Sequence, residues 1–392
     1  MTEPGEITLD ELSGPQAAAT LARLRAWSPV AWVPALNGWL VTSHQLALTV
    51  MHDASTYTVD HPSFSTAQVI GPSMLSLDGL EHLRHRKPFG HAFRASKVQE
   101  RFSTTTSDLA GDLVARIRPT GEADLRAALA GPLSANIAAQ ALGLQSVQVT
   151  TVLRWYAAIV GAVTDITAGL PARPEAASAM ADLTEAVQTT LATRCGGLLT
   201  TATPALTPSE VTSNAAVLMF GGIDTTEGMI TSALLQVLSD PDLTTAVRED
   251  HELIGPVIEE SLRLEPAASV IDRYATTNVE LGGAPIGAGD LVRVSLTAAN
   301  RDPLVFTDPD RYDPSRSNLD QQIAFARGPH SCIAMKLARL ETRAALVAVL
   351  DQLPGVHLSG AAAVTGLVFR KPQDLNVSWR TTADRRAPGN LE

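Results

Sequence analysis

Cysteine is almost absent from this 392-residue chain, which holds only Cys195 and Cys332. Two are too few for a disulfide framework, so each is read as a thiol with its own surroundings. Aromatic residues make up only 4% while hydrophobic residues reach 45%, so a large core must be mostly Leu, Val, Ile and Ala. Positive charge is also short, with 30 Lys and Arg against 41 Asp and Glu, a formal net charge of -11. That balance argues against a nucleic-acid binder and against adhesion to anionic lipid. No uninterrupted apolar run approaches the roughly 18 residues of a membrane span. Ala215 to Gly222, one such run, is less than half that length. Met1-Thr2-Glu3-Pro4-Gly5-Glu6 is acidic and lacks the charged and apolar regions of a signal peptide, which makes a reducing, cytoplasmic setting the expectation.

What is present is helical periodicity. Ser13-Gly14-Pro15 opens a helical pattern through Trp27, and residues 97–200 are Ala- and Leu-rich with helical spacing, broken at Gly131-Pro132 and Gly169-Leu170-Pro171. Thr207-Pro208-Ser209-Glu210 combines an N-cap, a proline at N1 and a glutamate at N3, so a helix of roughly 30 residues and about 45 Å is predicted up to Ser239. Further helices are predicted at 242–250, 253–264 and 332–352. Val30–Pro34 and Gly38–Thr42 read as a hairpin, with short strands at 279–281, 291–296 and 375–380. No repeat and no Gly/Ser/Pro linker divides the chain. The expected fold class is mainly α with small β-sheets (α+β), one domain over 1–392 with flexible tails at 1–12 and 383–392.

The two thiols sit in unlike settings. Cys195, in Thr193-Arg194-Cys195-Gly196-Gly197, has no catalytic or metal-binding companion nearby and reads as incidental. Cys332 closes Phe325-Ala326-Arg327-Gly328-Pro329-His330-Ser331-Cys332-Ile333-Ala334, just before a helical pattern. Unpaired amides and the positive end of a helix would stabilise a thiolate there. His330 and Cys332 alone do not complete a zinc site, and no C-x-x-C-H run is present. Local chemistry leaves three readings open: a buried structural cysteine, a Cys–His catalytic pair, or a thiolate ligand to iron.

The segment resembles the haem-binding loop of cytochromes P-450, F-G-x-G-x-H-x-C-x-G, with Phe325, Gly328, His330 and Cys332 matching. Ala326 and Ala334 stand where that family usually has glycine. Other motifs follow in family order. Gly221-Gly222-Ile223-Asp224-Thr225-Thr226 matches the pattern A/G-G-x-D/E-T-T, and two glycines inside a helix cost about 1 kcal/mol each, so a kink is expected there. Glu260-Ser261-Leu262-Arg263 matches E-x-x-R, and His82-Leu83-Arg84-His85-Arg86 matches H-x-x-x-R. Ala299-Asn300-Arg301-Asp302-Pro303 and the region around Asp124-Leu125 extend the resemblance over about residues 74–345.

The resemblance implies a single haem-thiolate fold holding haem b (iron protoporphyrin IX), with Cys332 as the metal ligand and His82, Arg86, Arg273, His330 and Phe325 around the cofactor. It implies a structural Glu260–Arg263 pair joined by Arg311. It also implies a proton relay through Asp224 with Thr225 beside the oxygen, and a substrate pocket walled by Leu218, Gly221, Val270, Ile271, Val368 and Phe369. The pocket would further draw on Thr56 to Met74 and on helices near Trp155 to Ala181. The implied activity is a monooxygenase acting with dioxygen on a hydrophobic small organic substrate. No flavin or iron–sulfur motif is present, so electrons would come from a ferredoxin and its ferredoxin reductase. They would be steered by Lys336, Arg339, Arg343, Arg327, Arg84, Lys87, Arg94 and Lys97. A hydrogen-peroxide-driven peroxygenase, a non-catalytic haem sensor and a haem-free Cys–His hydrolase are the competing readings.

Overall fold

The computed structural model describes residues 6–167, 169–193 and 197–381; Cys195 and the segment 383–392 lie outside the described residues. The longest element is the helix Pro208–Leu238, opened by the expected capping box, in which the Thr207 hydroxyl accepts from the Glu210 amide and the Glu210 carboxylate accepts from the Thr207 amide. It packs against Gly131–Leu142 on one side and Met335–Gln352 on another, and Met335–Gln352 in turn lies along Ala95–Ile117. Gly131–Leu142 is small and apolar nearly all round, and Leu133, Ala135, Ile137, Ala138 and Leu142 are buried. A helix apolar on every face belongs inside a layer of helices, which is how a chain poor in aromatics fills its centre.

The largest sheet has five strands in the order Val30–Val33, Gly38–Val41, Leu291–Ser295, Val270–Ala275, Tyr57–Thr58. The first two form the expected antiparallel hairpin, Val30 opposite Val41, with Asn37 left-handed at φ 47°. Gly38–Val41 then pairs in parallel with Leu291–Ser295, which pairs antiparallel with Val270–Ala275. A second hairpin, Val279–Leu281 with Ala284–Ile286, turns at Gly282 and Gly283, both at positive φ, as a two-residue turn requires. Asn376–Ser378 sits between Glu122–Asp124 and His357–Leu358.

Three expectations are corrected. Residues 1–12 are not all a flexible tail: Leu9–Ser13 is a helix with a capping box at Thr8, and Ile7 and Leu12 are buried, so apolar contact holds the segment down. The long helix is not interrupted at Gly221-Gly222; helical bonding runs through both glycines. The helix expected from Cys332 begins at Met335, leaving the cysteine in the loop before it. Val149–Thr167 has the length and the mean hydropathy, 1.2, of a membrane span, but Thr150, Thr151, Arg154, Thr164 and Asp165 divide it, so no long apolar run forms, as expected. Its Val152, Trp155, Ile159 and Ala162 are buried, and it packs on Glu175–Thr193.

Candidate active site

The Cys332 loop is built by short-range bonds. The Ala326 amide donates to the Ile323 carbonyl at 2.9 Å, the Ser331 amide to Gly328 at 3.1 Å and the Cys332 amide to Phe325 at 2.8 Å. Gly328 is left-handed at φ 73°, and a β-carbon there would collide with the Met51 carbonyl, so only glycine fits. Ala326 is also left-handed, at φ 55°. A side chain in that conformation costs about 1–2 kcal/mol, a strain that the surrounding bonds impose. Burial pushes the Cys332 thiol up, while the Ala334 amide and the charges of Arg86 and Arg339 act in the opposite sense. Arg339 lies 4.5 Å over the Phe325 ring and makes a bidentate pair with Glu259, at 2.5 and 2.8 Å.

Beside this loop the structure gathers His82, Arg86, Arg273 and His330. The His82 and His330 rings approach at 3.2 Å between Nδ1 and Nε2, and Arg86 donates to the Ser331 carbonyl at 2.6 Å. Arg273 is buried, with one donor on the Asp272 carbonyl. Neither arginine has a carboxylate partner among the described residues. His82 Nε2 and His330 Nδ1 are buried without partners. Burial, then the charges of His330 and Arg86, bring His82 down to about 4, and burial brings Arg273 down to about 10. His330 is lowered by burial, against the pull of Asp78.

Asp78 belongs to this group and was missed. It precedes the helix Gly79–Gly90, accepts from the Thr58 hydroxyl at 2.7 Å and the Val59 amide at 2.9 Å, and meets His330 Nε2 at 2.7 Å. Burial raises its pKa, but these bonds together outweigh burial and hold it below the usual range. The signal was the Asp78-Gly79 pair, an acid at a helix start, which needs tertiary partners before it means anything. Asp78, His82 and His330 place three ligand atoms within 4.8 Å, yet a tetrahedral zinc site wants a fourth ligand, and Arg86 and Arg273 lie close enough to repel a cation. Two orphaned imidazole nitrogens and two unpaired guanidiniums ask instead for anionic oxygens, which the carboxylates of haem supply.

Between the loop and the long helix lies a cavity of about 240 Å³, mostly apolar, with Cys332, Arg86 and His330 at one end and Gly221 and Thr225 along its wall. The Thr225 hydroxyl donates to the Gly221 carbonyl at 2.5 Å. A β-carbon at Gly221 would meet nothing within 4 Å, so the glycines open the helix surface to the cavity without breaking the helix. Leu218, Gly221 and Ile271 line the cavity as expected, along with Met74. Val270, Val368 and Phe369 do not, nor does any residue of 155–181. Strand alternation turns Val270 toward Leu12 and Leu21 while Ile271 faces the cavity. Val368 and Phe369 stand behind Ala267 and Ala268: Ser269 donates to the Val368 carbonyl, and Phe369 packs edge-on against Phe220 at 5.6 Å.

Asp224 is the other departure. It is buried away from the cavity, its carboxylate paired with the Lys371 ammonium. The structural pair is present, with Arg263 and Glu260 joined at 2.7 and 2.8 Å and no exposure of either side chain. Its third member is Arg316, not Arg311. Arg316 Nε reaches Glu260 at 3.1 Å, while the Arg311 side chain is 69% exposed and only its carbonyl accepts from Arg263. The Asp313 side chain accepts from the Ser315 amide, and that turn carries Arg316 back under the helix.

The fold and this site define a class: a helical protein that presents one cysteine to a buried, anionic, planar cofactor beneath an apolar cavity. The family model for cytochrome P450 matches residues 181–353. Nocardicin C N-oxygenase of Nocardia uniformis subsp. tsuyamanensis is 32% identical over 383 residues, covering 91% of this chain and 94% of that protein. Cytochrome P450 monooxygenase PikC of Streptomyces venezuelae is 31% identical, covering 86% and 84%. Among solved structures, P450BioI in complex with an acyl carrier protein bearing hexadec-9Z-enoic acid aligns with a TM-score of 0.84 at 25% identity, covering 93% of this chain and 98% of that one. The chain belongs to the cytochrome P450 family and is an oxidoreductase of the monooxygenase type that binds haem b.

Proposed function

We propose that this monooxygenase inserts one atom of dioxygen into an uncharged, hydrophobic small organic substrate in the cytoplasm, with electrons from a ferredoxin and its reductase. The observation that carries this reading is the apolar cavity walled by Met74, Leu218 and Ile271, directly between the Cys332 loop and Thr225. Cys332 would bind the iron as thiolate, and His82, Arg86, Arg273 and His330 would hold the carboxylates of the group. Bound haem supplies dioxygen activation, which a thiolate ligand favours by pushing electron density to the metal. Thr225 would hold a proton at the cavity wall by its hydroxyl, and Asp224 would replenish it. Two relatives are named for oxidising nocardicin C and mycinamicin IV, and we infer no more from those names than that this fold oxidises organic substrates.

The basic face proposed for the electron carrier shrinks to a few groups. Arg339 pairs with Glu259, Arg84 with Glu81 and Glu210, and Lys97 with Glu100, while Arg343 lies 3.9 Å from Glu252 and Arg327 bonds to backbone carbonyls. Lys87, Arg94 and Lys336 are exposed and make no ion pair among the described residues. They are the cations left to steer an acidic partner. The hydrogen-peroxide-driven alternative has one observation in its favour, the withdrawal of Asp224 onto Lys371.

The test begins with the reduced carbon monoxide adduct, which should show the red-shifted band of thiolate ligation. Cys332→Ser should lose it and Cys195→Ser should keep it. First-electron transfer from an acidic ferredoxin should slow as salt rises and in Lys87→Glu and Lys336→Glu. Indifference to salt and to both reversals would remove the docking face. Product formed with peroxide but not with reduced ferredoxin would establish the alternative, and a screen of apolar compounds by haem spectral shift would define the substrate.

A further inference from the structure

Asn214 lies in the long helix two turns before Gly221, on the same face. Its side chain is wholly buried and makes three hydrogen bonds. Oδ1 accepts from the Met74 amide at 2.9 Å, while Nδ2 donates to the Glu210 carbonyl at 2.7 Å and to His85 Nδ1 at 2.9 Å. Met74 and Leu75 are the central residues of a tight turn over 73–76. The Ser76 amide donates to the Ser73 carbonyl at 3.1 Å, and the Ser73 amide to the Ser76 hydroxyl at 3.1 Å, which closes that turn. Both central residues line the cavity. The segment leading into the turn presses on the long helix: a β-carbon at Gly71, which has φ 80°, would stand 3.2 Å from the Ser213 hydroxyl. Asn214 thus ties a piece of cavity wall to the long helix, and His85, on the helix Gly79–Gly90, holds Asn214 from the other side.

These contacts fix where each proton sits. The Met74 amide can only donate and the Glu210 carbonyl can only accept, so the Asn214 amide has one orientation. Its remaining N–H needs a lone pair on His85 Nδ1, which puts the single imidazole proton on Nε2, 3.4 Å from the Glu210 carboxylate. A second proton on His85 would set two donors against each other at Nδ1. Turning the Asn214 amide over would accept that proton, but it would face NH2 to the Met74 amide and oxygen to the Glu210 carbonyl. Relieving His85 in this way breaks the Met74 bond. We propose that Asn214 and His85 are positioning residues that latch Met74 to the long helix and so limit the size of molecule the cavity admits, and that a second proton on His85 opens the latch. That proton comes from solvent past Arg84 and Glu210, whose side chains are partly exposed, and leaves the same way on closing; no other covalent bond changes. The charged groups facing His85 are Glu81 and Arg84 of its own helix and Glu210 of the long helix, and the turn 73–76 and the helix Leu198–Ala202 carry none. Burial lowers the His85 pKa below the ordinary histidine value, against the pull of Glu210, so opening belongs to acid pH. The latch rests on the reading of this cavity as the substrate site.

The experiment titrates haem-loaded ferrous enzyme with methyl isocyanide and with cyclohexyl isocyanide, neutral iron ligands that differ in bulk, so no substrate need be known. Affinities are read from the haem spectral shift at about pH 7.5 and about pH 5, either side of the ordinary histidine value. The ratio of cyclohexyl to methyl binding cancels whatever pH does at the iron itself. In the parent this ratio should rise about threefold or more on acidification, the order of one lost hydrogen bond. Asn214→Ala should show the raised ratio at both pH values. His85→Gln, whose side-chain carbonyl accepts from Asn214 and gains no proton, should keep the neutral ratio at both. In Asn214→Asp the ratio should stay level or fall on acidification, because the aspartate accepts from protonated His85 while still accepting from the Met74 amide. A purely structural Asn214 predicts that Asn214→Asp rises as the parent does. Size-selective binding that ignores pH in the parent, or that rises equally in His85→Gln, overturns the latch alone. Equal affinities for the two isocyanides in the parent and in every variant overturn the cavity as the limit on what reaches the iron, and the latch with it.

Discussion

Two of the buried charge clusters among the described residues are built on opposite plans. In the first, one acid, Glu260, holds Arg263 and Arg316, and the other guanidinium donors end on backbone carbonyls of Asn300, Thr307, Asp308, Pro309 and Arg311. In the second, Asp224, Glu227, Lys371 and Arg126 pair mostly side chain to side chain, with one end toward solvent. Donors on backbone carbonyls fix the path of the chain, and moving them would leave buried carbonyls unmet. Side-chain pairs with a wet end can exchange partners. The first cluster is a lock for residues 300–316, and the second has the means to rearrange.

Breaking the lock should have the largest effect. Glu260→Ala strands two buried guanidiniums and should lower stability by about 3–5 kcal/mol, read by chemical denaturation. A buried carboxyl outside both clusters sharpens the contrast, since Glu341 Oε2 has no partner among the described residues and burial alone raises its pKa well above 4.5. A raised native pKa means that the folded protein keeps a proton the unfolded chain has released, so stability falls as pH climbs above the ordinary carboxyl range. Glu341→Gln should match the parent at acid pH and exceed it increasingly toward neutral pH, in denaturation curves across a pH series. Lys371→Met should cost about 1–3 kcal/mol, because Arg126 still pairs with Glu227, and adding Asp224→Asn should recover part of the loss. The smallest change separates two arginines five residues apart. Arg311→Ala should stay within about 0.5 kcal/mol of the parent, whereas Arg316→Ala should lose more. Equal losses would put the wrong arginine in the lock.

The legible parts of the site are those that local chemistry controls. Ala326, where the family usually has glycine, takes the left-handed conformation that glycine favours, the turn at Gly282-Gly283 forms, and the Cys332 loop approaches the cavity with His330 beside it. The His82 to Arg86 spacing does bring both side chains to that loop. What could not be read concerns direction and distance. The glycine pair was expected to kink the helix, but helical bonding runs through both glycines, and a β-carbon at Gly222 would stand in ordinary contact with Ala138. Val270 was placed in the pocket although its neighbour Ile271 occupies that face, because nothing local says which side of a strand looks inward. The expected basic face was read as bare charge, and folding had already committed Arg339 and Arg84 to carboxylates.

By itself the sequence determined the helical class, the capped start of the long helix at Thr207, the strand-turn-strand units and the loop that presents Cys332. Caps, turns and periodicity act over three or four residues, so their outcome is written where they occur. Only the tertiary structure decided that Arg316 completes the lock, that Asp78 joins His330 across 252 positions, and that Lys371 meets Asp224 across 147. Opposite charges this far apart attract no more than many other pairs in the chain would. Which of them meet depends on how the strands and helices between them pack, and burial then makes the chosen pairing hard to exchange.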